Sequence, residues 1–328
     1  MLKTLSIILL LTLPLFAEEK DTSLAETERS LQLKDLQSQA LYGFYSKNFP
    51  KSAQIISQIK AISPESIEYH YLTGVLFFVK KDYTHSIDSL RKSEAMNPDH
   101  ELSLYLLGMN YSLQGNWKDA LYYFERANSV TYNPYYQINL AIAWLQNNDI
   151  TRAISSAERA IELKENFSNA KILLSHLYTL NKQEEKAWNI CQEQKKIQTS
   201  NNSFAENCAL LSFSFKKDYQ NVISILNGRK NISLRSRRIL ARTYYKLNDF
   251  RKAYFDYRSF IYTSSFRKEE GLEYMEILVL SSADIELEKF KSLFFVKFPN
   301  TEDEVDILIR TAELKRDSMN MFYYQFKS

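Results

Sequence analysis

Four histidines, two cysteines, scattered acids and one dense arginine block are the residues of this chain from which chemistry could be made. His70, His85, His100 and His176 do not recur at a metal-ligand spacing such as H-x-x-x-H, and they read as scaffold histidines. No glycine-rich phosphate loop and no G-x-S-x-G is present, so two common routes to phosphoryl and acyl transfer have no carrier. Glu269-Glu270 and Glu302-Asp303 fall where helices begin, and there acids favour the macrodipole without any catalytic role. Two carboxylates from distant places could still form a hydrolase acting on cell-wall polymer. The chain reads as a binding protein, not an enzyme, with no cofactor and no metal.

Charge is the sharper signal. Arg235, Arg238, Arg242, Tyr245 and Lys246 recur at helical spacing and share one helix face. Arg229 to Lys268 holds 12 Lys or Arg and only two Asp, whereas Glu269 to Asp306 holds 11 acids and three Lys. The two blocks either neutralise each other or leave a basic site for an acidic ligand, whose carboxylate the planar guanidinium fork suits. The net charge of the whole chain is only +3, which argues against nucleic acid as partner.

The elements that must position these residues are helices. Six Gly, six Pro, 22 Tyr and 20 Phe in 328 residues disfavour a turn-rich β fold. A unit at 101–134 carries Leu104, Leu107, Gly108 and Tyr111 on one helix face, then Ala120, Phe124 and Ala127 on a second. Thirty-four residues earlier stand Gly74, Phe77, Asp82-Tyr83, Leu90 and Pro98; a further 34 back stand Ala40, Asn48-Phe49, Ser52, Ile56 and Pro64. Going forward, Ala141, Trp144, Ala153 and Ala160 repeat the pattern, then Leu174, Tyr178 and Ala187. Phe213 and Asp218-Tyr219 mark a degenerate unit, Leu240, Ala241, Tyr244, Asp249-Phe250, Ala253 and Tyr257 a good one, and a weaker pair follows to about 299. The small residue lets two backbones approach. The Asn or Asp before an aromatic suits the N-cap of each second helix, and Pro64, Pro98 and Pro134 interrupt the chain between units.

These residues resemble the tetratricopeptide repeat (TPR) family over residues 33–300. The resemblance implies an all-α, right-handed superhelical solenoid of antiparallel helix pairs, with about seven to eight repeats. Gly43 stands where the family has an aromatic, and the later units lack the closing Pro. By the same resemblance the first helix of each unit lines a concave groove. Its wall would be apolar at Tyr71, Val75, Phe78, Tyr105, Met109, Ile138 and Ile142, and basic at Arg235, Arg238, Arg242, Tyr245 and Lys246. In this frame Cys191 and Cys208 fall on consecutive antiparallel helices, about equally far from a turn near Ser200; a disulfide and two buried thiols both remain open. Thr301 and Glu304 predict a capping box for a last helix running to about Asp317. An aromatic tail, Met321 to Tyr324, would then pack on the last repeat.

The N-terminus predicts the compartment. Lys3, the apolar run Leu5 to Phe16 broken by Pro14, and Ala17 before Glu18 have the layout of a cleaved secretory signal. The run is shorter than the roughly 20 residues a spanning helix needs, and no later stretch spans. The expected organisation is a signal peptide at 1–17, a polar segment at 18–32, the repeat array at 33–300 and a cap at 301–328. The expected product is a periplasmic or secreted scaffold that binds envelope proteins or peptides, of acidic character if the basic face is free. A regulatory or assembly subunit of an outer-membrane or cell-wall machine is the alternative.

Overall fold

The computed structural model describes residues 24–195, 201–263 and 265–325, with side chains between 27 and 319. The expected signal peptide lies outside the described residues, as do the side chains of the aromatic tail. Among the described residues there are 17 α-helices and one π-helical turn, and no strand occurs. The chain divides into two compact units, residues 1–177 and 178–328.

The first unit contains four helical hairpins: α1 (Leu24–Tyr45) with α2 (Phe49–Ile62), α3 (Ile67–Val79) with α4 (Tyr83–Met96), α5 (Glu101–Leu113) with α6 (Trp117–Val130), and α7 (Pro134–Gln146) with α8 (Ile150–Leu163). The division falls within α9 (Ser168–Leu180). The second unit continues with α10 (Glu184–Glu193), α11 (Asn202–Leu211) and α12 (Tyr219–Leu226). It then pairs α13 (Leu234–Lys246) with α14 (Phe250–Arg258) and α15 (Lys268–Leu280) with α16 (Asp284–Lys297), and ends in α17 (Glu302–Gln325).

The repeat is written most clearly in the backbone. Each turn from a first to a second helix holds one residue in the left-handed region: Lys47, Lys81, Gly115, Asn148, Lys182, Lys217, Asn248 and Ser282. In seven of the eight turns the next N–H reaches back to the carbonyl five residues earlier, as Asp82 does to Phe77 at 2.9 Å and Asp249 to Tyr244 at 2.9 Å. That is a Schellman closure of the first helix. The same residue then caps the second helix. The side chains of Asn48, Asp82, Asn116, Asp149, Asp218 and Asp249 each accept from the backbone N–H three residues on. Gln183 and Ala283 occupy the same place without a side-chain cap bond.

Between Lys182 and Lys217 the spacing is 35, and the excess is absorbed in a π-helical turn, Ser212–Lys216, at the end of α11. The Asp218 N–H there bonds the Ser212 carbonyl, six residues back, at 2.8 Å. A π-turn is how a helix accommodates one inserted residue. That insertion is why the sixth unit reads as degenerate in sequence.

Small residues lie where hairpins close. Ala40, Ala120, Ala141, Ala153, Ala241 and Ala253 are fully buried. A Cβ on Gly108 would stand 2.6 Å from the Phe124 ring, so only glycine allows α5 to come this close to α6. Where the second helix carries Ser instead of Ala, the hydroxyl uses the first helix's carbonyl: Ser52 donates to Ala40 O at 2.9 Å and Ser86 to Gly74 O at 2.8 Å. The bonded disulfide Cys191–Cys208 ties α10 to α11, with Cα atoms 5.7 Å apart.

Pro134 does stand between two units, where it opens α7, a position where its missing N–H is an orphan anyway. One expectation needs correcting. The capping box at Thr301 does not form. The Thr301 hydroxyl donates back to Phe298 O at 2.7 Å, and Glu304 pairs with Lys268 at 2.6 Å. The last helix begins where predicted but runs on to Gln325.

Candidate functional site

The helix α13 carries the predicted basic face, but neighbouring helices take up most of it. The Arg242 guanidinium donates to Glu273 of α15 through Nε at 3.1 Å and Nη2 at 3.0 Å. Arg238 has Nε 3.6 Å from Glu270, donates to Ser265 O at 2.6 Å, and lies over the Phe260 ring. The Tyr245 hydroxyl donates to Glu276, which Lys315 of α17 also reaches at 2.9 Å. Arg235 looks the other way, to Glu206 of α11 at 3.7 Å. Of the five residues Arg235 and Lys246 stay exposed to solvent, Lys246 with its Nζ over the Tyr245 ring. Of the two readings of these charge blocks, these contacts favour neutralisation: Arg238, Arg242 and Tyr245 form an inter-repeat clamp. The reason is spacing: an acid 31 residues after a cation or a tyrosine comes alongside it when successive hairpins stack.

Burial affects these groups in opposite directions. Burial alone would pull the Arg242 pKa down, but the bond and charge of Glu273 outweigh it and leave the pKa raised. Glu286 of α16 accepts from Tyr274 at 2.7 Å, Tyr254 at 2.7 Å and Tyr262 at 2.9 Å. Burial pushes its pKa up, but these three hydroxyls and Arg258 more than reverse that, so it lies below the usual range. Asp256 lacks such donors. Burial pushes it up to about 6, and Arg237 at 4.0 Å offsets this only in part.

The predicted apolar wall is corrected as well. Tyr71, Val75, Phe78, Tyr105 and Met109 are at most 4% exposed. Tyr71 and Tyr105 reach across to the next unit instead of facing a groove, whereas Phe78 packs on Tyr83 of its own hairpin. Tyr105 stacks on Tyr136 at 4.5 Å, and Asn139 donates to its hydroxyl at 2.6 Å. Ile138 and Ile142 of α7 stay half-exposed.

The histidines do not converge. His70 lies 3.4 Å from Glu65, His85 Nδ1 lies 2.7 Å from Asp82, and His100 Nδ1 lies 2.7 Å from the Ser103 hydroxyl. Burial lowers the His100 pKa to about 4. Among the described residues no group of three or more His, Cys, Asp or Glu could hold a metal ion, and no helix is long and apolar enough to cross a membrane.

Sequence reasoning missed the carboxylates that receive these donors, including Glu94, Glu101, Glu270 and Glu286. A signal existed. Tyr136 meets Glu101 across 35 residues, Arg126 meets Glu94 across 32, and Tyr254 meets Glu286 across 32. Complementary groups at nearly one repeat length are what a stacked array brings together.

This register of capped, Schellman-closed hairpins at spacings of 31 to 35 residues decides the architecture. The fold is tetratricopeptide-like. No family model and no curated protein matches the sequence. Among solved structures, PilF of Pseudomonas aeruginosa is 17% identical over 76% of this chain and 97% of its own, with a TM-score of 0.49. YrrB, described as a TPR protein with an unusual peptide-binding site, is 14% identical over 56% of this chain and 91% of its own, with a TM-score of 0.47. MamA is 16% identical over 49% of this chain and 97% of its own, with a TM-score of 0.43. At these scores the assignment of the TPR-like fold rests on the hairpin geometry.

Proposed function

We propose that the protein is an exported scaffold that binds protein or peptide partners of the cell envelope. The observation that carries the binding reading is the architecture itself. Hairpins in register present the same helix faces again and again, which makes an extended surface suited to a chain laid along it. Two concavities, one lined by Lys182–Lys186 with Phe215 and one by Arg258, Tyr262, Ser282–Glu286 and Lys289, are open clefts at the surface. Export draws its support from the leader-like N-terminus and from the disulfide, since bridges persist in oxidising compartments. With Arg238 and Arg242 of α13 occupied internally, acidity of the partner loses most of its support.

Crosslinking in intact cells followed by mass spectrometry tests this reading. Crosslinks from several successive hairpins to the same envelope protein are expected. Recovery of the chain only from the cytosol, or crosslinks confined to one helix end, would overturn it. The second outcome favours an assembly subunit, a reading supported by apolar side chains open to solvent near the C-terminus: Ile285 and Val296 of α16 are 79% and 85% exposed, and Leu314 of α17 is 70% exposed.

A further inference from the structure

Glu101 is unlike the other carboxylates that join successive hairpins. Glu94, Glu206, Glu270, Glu273, Glu276 and Glu286 each have an Arg or Lys within 4.0 Å. Glu101, half-buried at the first position of α5, has hydroxyls only. Thr131 donates to one oxygen, and the Tyr136 hydroxyl lies 3.5 Å from the other. Among the described residues it has no cationic partner.

A second observation points to the same spot. The Tyr71 side chain is 1% exposed, and its hydroxyl is buried without a hydrogen-bond partner. The charge of Glu101 acts on that hydroxyl, raising its pKa further after burial has already raised it, and Tyr71 acts likewise on Tyr136. The Tyr136 hydroxyl thus lies against this carboxylate, and the Tyr71 hydroxyl feels its charge. The remaining neighbour supplies no charge, because His100, whose ring meets Tyr71 edge-on at 5.3 Å, is neutral above about pH 4.

An anion partly withdrawn from water is costly unless it is paired. Burial accordingly raises the Glu101 pKa, and the Tyr136 hydroxyl reverses this only in part. The N-terminus of α5 also favours the charge. None of these contacts satisfies the Tyr71 hydroxyl. A cation would satisfy the carboxylate: an ammonium or guanidinium can donate to the Glu101 oxygens, and its charge would offset the field that Glu101 exerts at the buried Tyr71 hydroxyl.

We propose that Glu101, bordered by Tyr71, Tyr136 and Thr131, is the recognition site for a single Lys or Arg side chain of the protein's partner. This rests on the binding reading above and reverses the sign first read from the arginine block. The docked segment is basic at this point, and the first unit, not the second, reads its charge.

The probe is n-butylammonium, titrated into the full chain, with 1-butanol as the neutral control. Amide chemical shifts of Glu101, Tyr136 and their neighbours are followed by NMR. Saturable shifts with butylammonium and none with butanol are expected. Glu101→Gln should weaken binding by at least about tenfold, and Tyr71→Phe should weaken it by a smaller factor. Asp88→Asn, which removes an exposed acid of α4, should leave binding unchanged. No saturable shift in the wild-type chain, or equal affinity in Glu101→Gln, overturns the proposal. Should Glu101→Gln fail to fold, the wild-type titration and Tyr71→Phe decide the matter between them. Repeating the in-cell crosslinking separates the two claims. Partner crosslinks with a silent titration sink the site alone, and saturable cation binding without any partner crosslink sinks the scaffold reading alone.

Discussion

Replacing Arg242 should destabilise the second unit and leave no binding phenotype beyond that. Breaking a buried ion pair costs about 3–5 kcal/mol, whereas an exposed pair contributes about 0–1 kcal/mol. Glu273 is 11% exposed and Arg242 34% exposed, so this pair falls between the two limits. Arg242→Met removes two charge-assisted hydrogen bonds from Glu273 but leaves it the Tyr257 hydroxyl. A loss of about 2 kcal/mol is expected, and about 3 kcal/mol for Arg242→Glu, which adds repulsion. A stacked array need not unfold in one step, so the assay is hydrogen exchange resolved along the chain in rising urea. Protection should fall in α13 to α15 and stay unchanged in α3 to α8. A double-mutant cycle with Glu273→Gln should return a coupling of about 1–2 kcal/mol. Coupling within about 0.3 kcal/mol of zero, with protection intact and partner capture lost, would refute the clamp and restore Arg242 as a ligand-binding group.

Further outcomes follow from the geometry. Replacing Cys191 and Cys208 together by Ser should cost about 3 kcal/mol in the chain-entropy model, and untreated protein should show no alkylatable thiol by mass spectrometry. Gly108→Ala should lose about 1–3 kcal/mol through overpacking against Phe124, while Lys81→Gly, relieving a left-handed φ of 65°, should gain up to about 1 kcal/mol in thermal melts. The pH dependence has two opposed parts. His100 has its folded pKa lowered to about 4, so its contribution is present above its unfolded value near 6.5 and is lost as pH falls towards 4. Asp256 has its folded pKa raised to about 6, so it penalises the fold above that pH and ceases to as pH falls through 6 towards 4. Asp256→Asn should therefore stabilise at pH 7, by no more than about 3 kcal/mol, and have no effect near pH 3 in urea titrations.

The hairpins were legible because their markers are local. A Gly or Ala at the close approach, an aromatic three positions on and an Asn or Asp at the second N-cap each act within one turn of helix, so their types and spacing survive in the sequence. The left-handed turn residue was not legible. Only one of its eight occurrences is glycine; the rest are Lys, Asn or Ser. The Schellman bond, and in six of the eight turns the capping Asn or Asp that follows, hold the turn whatever side chain it bears. The π-turn at Ser212–Lys216 was hidden for a related reason, since one inserted residue shifts the pattern without changing its letters.

The candidate site was misread where side chains act between repeats. Position within a helix placed Arg242 and Tyr105 on faces that a single helix leaves open, and in isolation that is correct. Stacking changes it: the acid block after residue 268 lies one repeat downstream of the arginine block, so its carboxylates meet the guanidiniums at 3.0–3.6 Å. Tyr105 is covered for the same reason, by Tyr136 and Asn139 of the next first helix. A block of like charge in a repeat array therefore says little about ligands until the residues 31 to 35 positions away have been set against it. By that comparison the arginines of α13 are largely accounted for. Glu101 meets hydroxyls across the same interval and no cation, which sets it apart from Glu94, Glu206, Glu270, Glu273, Glu276 and Glu286.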